Sequence, residues 1–246
     1  ITMGYSAGKE ITTGTYNNII GGLAGDALTT GGFNVAMGYA ALGAEDTGSR
    51  NVAIGHSALT ALNYDGAGYN IAIGYNAGTA VTTGTNNTLV GGLAGDSITS
   101  GQHNVALGYN ALAGEDAHGR NIAIGTNALA VQDAGADAYN IAIGHNAGLA
   151  VSTGINNVLI GGLAGDDITT GNYNVAIGYR ALQAEDTHGR NVAIGYNSLA
   201  TLNAGADAYN VGVGFKAGEA ITTGILNTLV GGLVGDALTD GNENTA

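Results

Sequence analysis

The phrase Asn34-Val-Ala-Met-Gly-Tyr39 recurs along the whole chain, for instance as Asn121-Ile-Ala-Ile-Gly-Thr126 and Asn191-Val-Ala-Ile-Gly-Tyr196. The opening asparagine returns at Asn17, Asn34, Asn51, Asn70 and Asn87, and the same series of steps then starts again. A fixed period of this kind is typical of stacked architectures, in which each repeat buries its apolar side chains against its neighbours. We therefore interpret residues 1–246 as a single repetitive segment, with about 17 residues per rung and a four-rung, 70-residue super-repeat.

Each phrase has the pattern of a short β-strand. Larger apolar residues alternate with small or polar ones at a period of two, and the glycine inside every phrase disfavours a helix by about 1 kcal/mol relative to alanine. A strand this short cannot bury its apolar side chains alone, whereas stacked turns can. The sequence therefore predicts an all-β fold, a parallel β-solenoid or β-roll with one turn per rung and two short strands per turn.

The alternation also assigns side chains to two faces. We expect Val35 and Met37 to belong to an inner column of Val, Ile, Leu and Met, and Asn34, Ala36 and Gly38 to belong to the opposite face. A column of alanine and glycine suggests that another backbone approaches closely. We expect that backbone to come from a second copy of the chain, in an intertwined or side-by-side homotrimer; the alternative is a cramped turn inside one chain.

The repeated asparagine predicts a structural ladder. Stacked at one rung spacing, its side-chain amides can form hydrogen bonds along the column and support parallel strands. The predicted ladder residues are Asn34, Asn51, Asn70, Asn87, Asn104, Asn121, Asn140, Asn157, Asn174, Asn191, Asn210 and Asn227.

Composition excludes several classes of protein. The chain has 45 Gly, no Pro and no Cys, which excludes collagen, a disulfide scaffold and a cysteine zinc site. Nineteen acidic against six basic residues give a net charge of −13, which disfavours nucleic acid as a partner. Gly, Asn or Asp interrupts every apolar run before about 18 residues, so no membrane insertion is expected.

The sequence shows no catalytic motif, and we expect no enzyme activity and no cofactor. The five histidines lack a recognisable metal-ligand spacing, and no cysteine nucleophile is present. Adjacent carboxylates precede an arginine in three matching loops, where we expect loop-closing or intersubunit ion pairs. These groups are Glu45-Asp46 before Arg50, Glu115-Asp116 before Arg120, and Glu185-Asp186 before Arg190.

Two further groups are weak candidates for ligand binding. The aspartates after Gly-Gly-Leu-x-Gly (Asp26, Asp96, Asp166 and Asp236) offer hard oxygen ligands for calcium, but no convergence of six to eight oxygens is visible and no metal site is expected. The longest loops carry Tyr69, Tyr139 and Tyr209 beside Asp and Gly, a mixture suited to glycans, or act as simple spacers. A column with Tyr39 and Tyr75 is expected to stack as a ladder or to offer a sugar platform.

Asn104-Val-Ala-Leu-Gly-Tyr109 and Asn174-Val-Ala-Ile-Gly-Tyr179, with their Thr-x-Gly lead-in, resemble the repeats of bacteriophage tail-fibre proteins. They are also similar to the head repeats of trimeric autotransporter adhesins, which form a left-handed parallel β-roll. The likeness covers nearly the whole chain, although the Gly-Gly-Leu-Ala-Gly-Asp rung departs from it and the rungs are longer than the usual adhesin-head repeat.

The resemblance implies a homotrimeric fibre in a virion tail fibre or at a cell surface, attached to a host glycan or protein. Because the chain starts and stops partway through a phrase, we expect it to be a fragment of a longer fibre chain. The alternatives are a bacterial surface adhesin and, more remotely, a polysaccharide depolymerase or a calcium- or ice-binding solenoid.

Overall fold

The structure is a computed structural model that describes residues 1–246. It contains two compact units, Ile1–Asn121 and Ile122–Ala246. Each unit is an all-β parallel solenoid with about 17 residues per turn, as the sequence predicts. No helix has the length and hydropathy that a membrane crossing requires.

In the first unit, consecutive strands pair in parallel, so that each strand lies beside the next one in the chain. The register places equivalent positions side by side: Ala36 pairs with Ala53, and Ala53 with Ala72. The strands are β1 (Thr2–Met3), β2 (Asn18–Ile20), β3 (Val35–Met37), β4 (Val52–Ile54), β5 (Ile71–Ile73), β6 (Thr88–Val90) and β7 (Val105–Leu107).

The second unit has the same order and register. Val158 pairs with Ile141 on one side and with Val175 on the other, so the apolar positions form continuous columns. The strands are β8 (Ile122–Ile124), β9 (Ile141–Ile143), β10 (Val158–Ile160), β11 (Val175–Ile177), β12 (Val192–Ile194), β13 (Val211–Val213) and β14 (Thr228–Val230).

Each turn contains one strand, and the prediction of two strands per turn is wrong. The second apolar step, Ala41-Leu42, is buried but is not a strand, because Leu42 adopts a left-handed conformation with φ of +54°. Successive loops are nevertheless joined by backbone hydrogen bonds, such as the one from Leu42 N–H to the carbonyl of Ala58 at 3.0 Å. The turn therefore closes through a series of bends whose amides pair with the next turn.

The predicted assignment of faces is also wrong, because the two faces of the strand are exchanged. Asn34 and Ala36 are fully buried inside the solenoid, whereas Val35 is half-buried and Met37 is 37% exposed. The interior of so small a turn is narrow, and Leu42 enters it from the side opposite the strand. A small alanine on the strand leaves room for that leucine, and the branched residues of the strand then point outward.

The column of glycines reflects crowding within one chain, so the alternative of a cramped turn is correct and the expected approach of a second chain at this column is wrong. Gly38 has φ of +137°, a conformation that residues with a side chain rarely adopt. A Cβ atom on Gly38 would collide with the backbone carbonyl of Gly55 in the next turn. Close stacking of turns therefore requires glycine where the strand ends.

Every fourth turn fills the interior in a different way. In the second unit, Leu159 takes the strand position that is alanine in neighbouring turns, and it is fully buried. Gly148 and Gly165 stand where Leu129 and Leu182 stand in other turns, and an added Cβ at either glycine would approach Leu159 methyl groups within 2.6–2.8 Å. Leu159 therefore fills the volume that two absent leucine side chains leave.

Candidate functional site

The repeated asparagines form a buried polar column within each unit. Every one of the twelve residues named for the ladder is fully buried. In the second unit, Asn157 Oδ1 accepts a hydrogen bond from the backbone N–H of Asn174 at 2.9 Å, and Asn157 Nδ2 donates to the carbonyl of Gly171 at 2.8 Å. Direct amide-to-amide bonds occur only at some turns, for instance from Asn227 Nδ2 to Asn210 Oδ1 at 3.1 Å. The oxygen and the nitrogen of the Asn157 amide both form hydrogen bonds within the chain, so we assign the column a structural role.

The outer face of the strands is largely apolar, with Asn18, Thr88 and Thr228 as its polar interruptions, and we call it the strand face. It is made by the first and third residues of each strand; in β5, Ile71 and Ile73 are 38% and 37% exposed. In the second unit, Val175 and Ile177 of β11 are half-buried and point outward in the same way. An apolar surface repeated on strand after strand is unusual on a solvated monomer.

One edge of the strand face carries an aromatic residue or an arginine just before many of the asparagines. Tyr16 and Phe33 stack with their ring centroids 4.8 Å apart. The guanidinium of Arg50 then lies 5.5 Å from the Phe33 ring and 5.6 Å from the Tyr69 ring. Such cation–π contacts use the ring faces, so Arg50 covers one face of Tyr69 while the residue stays 53% exposed.

The tyrosines predicted as ligand-binding candidates all lie at this edge. Tyr69, Tyr139 and Tyr209 are half-exposed and share a left-handed backbone conformation, with φ of 52–53°. In the second unit, Arg190 lies between the rings of Tyr173 and Tyr209, at 5.5 and 5.7 Å. These tyrosines are therefore fixed in orientation beside the strand face.

A second aromatic column follows the other end of the strands. In the first unit, the rings of Tyr39, His56 and Tyr75 stack at centroid separations of 5.4 and 5.5 Å. In the second unit, Tyr196 stacks between Tyr179 and Phe215 at 5.6 and 5.4 Å. The expected ladder is thus observed at these turns. Stacked aromatic groups therefore lie at both ends of the strands.

The predicted loop-closing carboxylate–arginine pairs are absent within the chain at two of the three loops, and the intersubunit alternative stays a prediction. Arg190 forms its ion pair with Asp207, not with Glu185 or Asp186. Arg50 lies between two aromatic rings, while Glu45 turns inward and is fully buried. The reason is positional, because Glu45 occupies an interior site that is leucine, isoleucine or valine in most other turns.

The buried glutamates close their own loops. Both oxygens of Glu45 accept backbone hydrogen bonds, from Gly48 at 2.6 Å and from Tyr64 at 3.3 Å. Burial raises the pKa of the Glu45 carboxyl, and these two amides oppose the rise. Glu185 is also fully buried and accepts from the backbone N–H of His188 at 3.2 Å. Burial also raises the pKa of Glu185, and the hydrogen bond from the backbone N–H of His188 opposes this rise.

Sequence reasoning missed these glutamates as interior residues. The available signal was their spacing, since each follows a ladder asparagine at the same distance as Leu62 and Ile168, which provide apolar core. It also missed that Glu185-Asp186-Thr187-His188 brings three possible metal ligands together, each within 4.8 Å of the others.

The weak calcium candidates Asp26, Asp96, Asp166 and Asp236 do not form a cluster. The groups of three or more metal-type side chains lie in other loops. Asp166 is distinctive because its Oδ1 atom is buried and has no hydrogen-bond partner. Burial, followed by repulsion from Asp167, raises the pKa of Asp166 to about 6. A single carboxylate of this kind does not provide the oxygen cage that calcium requires.

Comparison of the chain with protein-family models, with curated proteins and with solved structures gives no match in any of the three.

Proposed function

We propose that this chain is a structural segment of a fibre, which self-associates as a homotrimer and belongs to the receptor-binding apparatus of a phage tail fibre. The observation that carries the proposal is the strand face, an apolar surface that repeats on most strands of each unit and is interrupted by a polar residue only at Asn18, Thr88 and Thr228. Burying such a surface stabilises an assembly by roughly 25 cal/mol per Å².

A second copy of the same chain is the partner that best fits the strand face. Its side chains repeat at the spacing of neighbouring strands, about 4.8 Å, and an identical chain offers the same spacing. Homo-oligomers with closed symmetry are also the commonest assemblies. Acidic residues are absent from the paired strand positions, so the net charge of −13 is carried elsewhere and does not oppose close approach of these strands. The choice of three copies rests on the resemblance to trimeric adhesin heads.

In this proposal, attachment to a host surface is multivalent. The super-repeat places Tyr69, Tyr139 and Tyr209 at equivalent positions, and repeated weak contacts with a glycan or protein add through avidity. The setting would be a virion or the exterior of a cell. A bacterial adhesin of the trimeric autotransporter type would use the same architecture and is the second candidate.

Sedimentation equilibrium tests the assembly. The wild-type chain is expected to have three times the mass of one chain, and the double variant Val175→Glu/Ile177→Glu is expected to be monomeric with its β-strand circular dichroism retained. Val131→Glu is the control, because Val131 is 50% exposed but lies outside the strands. A monomeric wild type, or a trimer that survives the double variant, would contradict the proposal.

Binding to host cells tests the attachment. Replacing Tyr69, Tyr139 and Tyr209 together by Ala is expected to reduce surface binding. The matched control replaces Tyr39, Tyr109 and Tyr179, which are also one super-repeat apart but belong to the other column. Equal loss in both variants, or no loss in the first, would place the receptor contacts elsewhere. Release of reducing ends from capsule polysaccharide would favour a depolymerase instead.

A further inference from the structure

We propose that the loop Glu185-Asp186-Thr187-His188 is a binding site for a transition-metal dication of the Zn²⁺ type, and that Glu115-Asp116-Ala117-His118 forms a second site of the same kind. In each loop, the two carboxylates and the imidazole place one possible ligand atom each within 4.8 Å of the others. The inference does not depend on the fibre function.

The first argument is an orphaned atom. Glu185 is fully buried, and its Oε2 atom has no hydrogen-bond partner, although the nearby Ala204 backbone N–H lowers the carboxyl pKa somewhat. A buried carboxylate oxygen without a donor is costly. A bound cation would compensate it directly.

The second argument is the histidine, whose position matches a shared ion. His188 Nδ1 lies 3.7 Å from Glu185 Oε1, and His118 Nδ1 lies 3.9 Å from Glu115 Oε1. These distances exceed a hydrogen bond but suit two ligands that approach one metal from different directions. His188 Nδ1 also lies 3.0 Å from Thr187 Oγ1, a contact that a bound ion would replace. In addition, His118 Nδ1 is buried and has no hydrogen-bond partner.

A natural comparison within the chain supports this interpretation. Glu45-Asp46-Thr47-Gly48 differs from Glu185-Asp186-Thr187-His188 only at its last residue. Without the histidine, both oxygens of the Glu45 carboxylate are satisfied by backbone N–H groups of Gly48 and Tyr64. At Glu185 the equivalent donor is the backbone N–H of Ala204, which lowers the pKa of the carboxyl but does not reach Oε2 within hydrogen-bond geometry. The two loops therefore differ in how closely that amide approaches the glutamate, and the one with the looser approach contains the imidazole.

The donor set identifies the class of ion. One imidazole and two carboxylates suit Zn²⁺ and its neighbours, whereas Ca²⁺ and Mg²⁺ prefer oxygen ligands alone. Two carboxylates balance the charge of a dication. At Glu185, Asp186 and His188, three protein ligands leave one position for water in tetrahedral geometry, consistent with the partial exposure of His188 and Asp186. In the other cluster, Asp133 is a fourth possible ligand beside Glu115, Asp116 and His118.

Isothermal titration of the tag-free chain with Zn²⁺, in a buffer without phosphate, tests the proposal. The wild type is expected to bind two Zn²⁺ per chain, His188→Gly one, and the double variant His118→Gly/His188→Gly none. Glu185→Gln keeps the side-chain volume and is expected to weaken one of the two sites at least about tenfold. Ca²⁺ in excess is expected not to compete.

His145→Tyr is the matched control, because Tyr75 stands at the equivalent position one super-repeat earlier; it should still bind two Zn²⁺. Circular dichroism of every variant verifies the strands, and His188→Asn replaces His188→Gly if the latter fails to fold. Binding that does not saturate in the wild type overturns the proposal. So does unchanged stoichiometry without His118 and His188, or the loss of a site in His145→Tyr.

Discussion

The side-chain Oδ1 of Asn157 accepts a hydrogen bond from the backbone N–H of Asn174, one turn further along the chain, at 2.9 Å. Because Asn157 Nδ2 also donates to the carbonyl of Gly171 at 2.8 Å, one buried amide satisfies backbone groups at two separate points. The asparagine thus connects the start of one strand to both the strand and the loop of the next turn.

This relationship predicts that Asn157→Ala destabilises the chain by about 2–4 kcal/mol, since it leaves a buried N–H and a buried C=O unpaired. Urea unfolding followed by circular dichroism measures the effect. Asn157→Asp is the control. Its carboxylate still accepts a hydrogen bond from the N–H of Asn174, but it places an oxygen against the carbonyl of Gly171, so this variant should also destabilise the fold. An unchanged midpoint for Asn157→Ala would show that water replaces the amide.

The interior volume of the variant turn predicts strong coupling between Leu159 and Gly165. Leu159→Ala should cost about 2–5 kcal/mol through the cavity it leaves, and Gly165→Leu should cost at least about 1–3 kcal/mol through overpacking. The double variant restores the common alanine–leucine arrangement and is expected to be more stable than the sum of the two losses. A double-mutant cycle in urea gives the coupling energy; strictly additive losses would show that the two sites pack independently.

Asp166 predicts a pH-dependent stability. Its pKa is raised to about 6 by burial and by Asp167, from an ordinary value of 3.8. The folded chain therefore favours the protonated form: this contribution is complete below about pH 4 and is lost as the pH rises through about 6. Asp166→Asn, which stays neutral, should exceed the wild type in stability by up to about 1 kcal/mol above pH 7, a value reduced for the partial exposure of the site.

Unfolding by urea at about pH 4.5 and pH 7.5 measures this difference. The advantage of Asp166→Asn should shrink or vanish at the lower pH. Asp236→Asn serves as the comparison, since Asp236 is exposed in the equivalent turn. A constant advantage at both pH values would mean that the substitution acts through packing or hydrogen bonding.

The position of Arg50 between Phe33 and Tyr69 predicts that Arg50→Ala costs about 1–2 kcal/mol, because two cation–π contacts are lost. Thermal unfolding at low and high salt measures the effect. Arg180→Ala is the comparison, since Arg180 lies over one ring only, that of Tyr179 at 5.9 Å, and it should cost about half as much. Equal costs would indicate that stacking of the second ring contributes nothing.

The sequence alone determined the repeat, the position of each strand and the all-β class. The recurrence of Asn34-Val-Ala-Met-Gly fixes a strand at the same place in each rung and at a constant register, because equivalent residues must meet when identical turns stack. The second strand that the sequence predicts in each rung is absent. It did not locate the site residues reliably. Glu45 and Glu185 lie in segments whose composition is typical of surface loops. Only the distance of each glutamate from the preceding asparagine indicates that its side chain is interior.

Only the tertiary structure decided which face of the strand is inside. Alternation with a period of two separates Val35 from Ala36 but does not say which of them is buried, and general hydrophobicity favours the larger residue. Closure of so short a turn leaves a narrow interior, and the left-handed backbone at Leu42 directs that leucine into it. Alanine is then the residue that fits opposite Leu42, and the valines and isoleucines of the strand lie on the outer surface. The small volume of the interior, and not the hydrophobicity of the side chains, decides this arrangement.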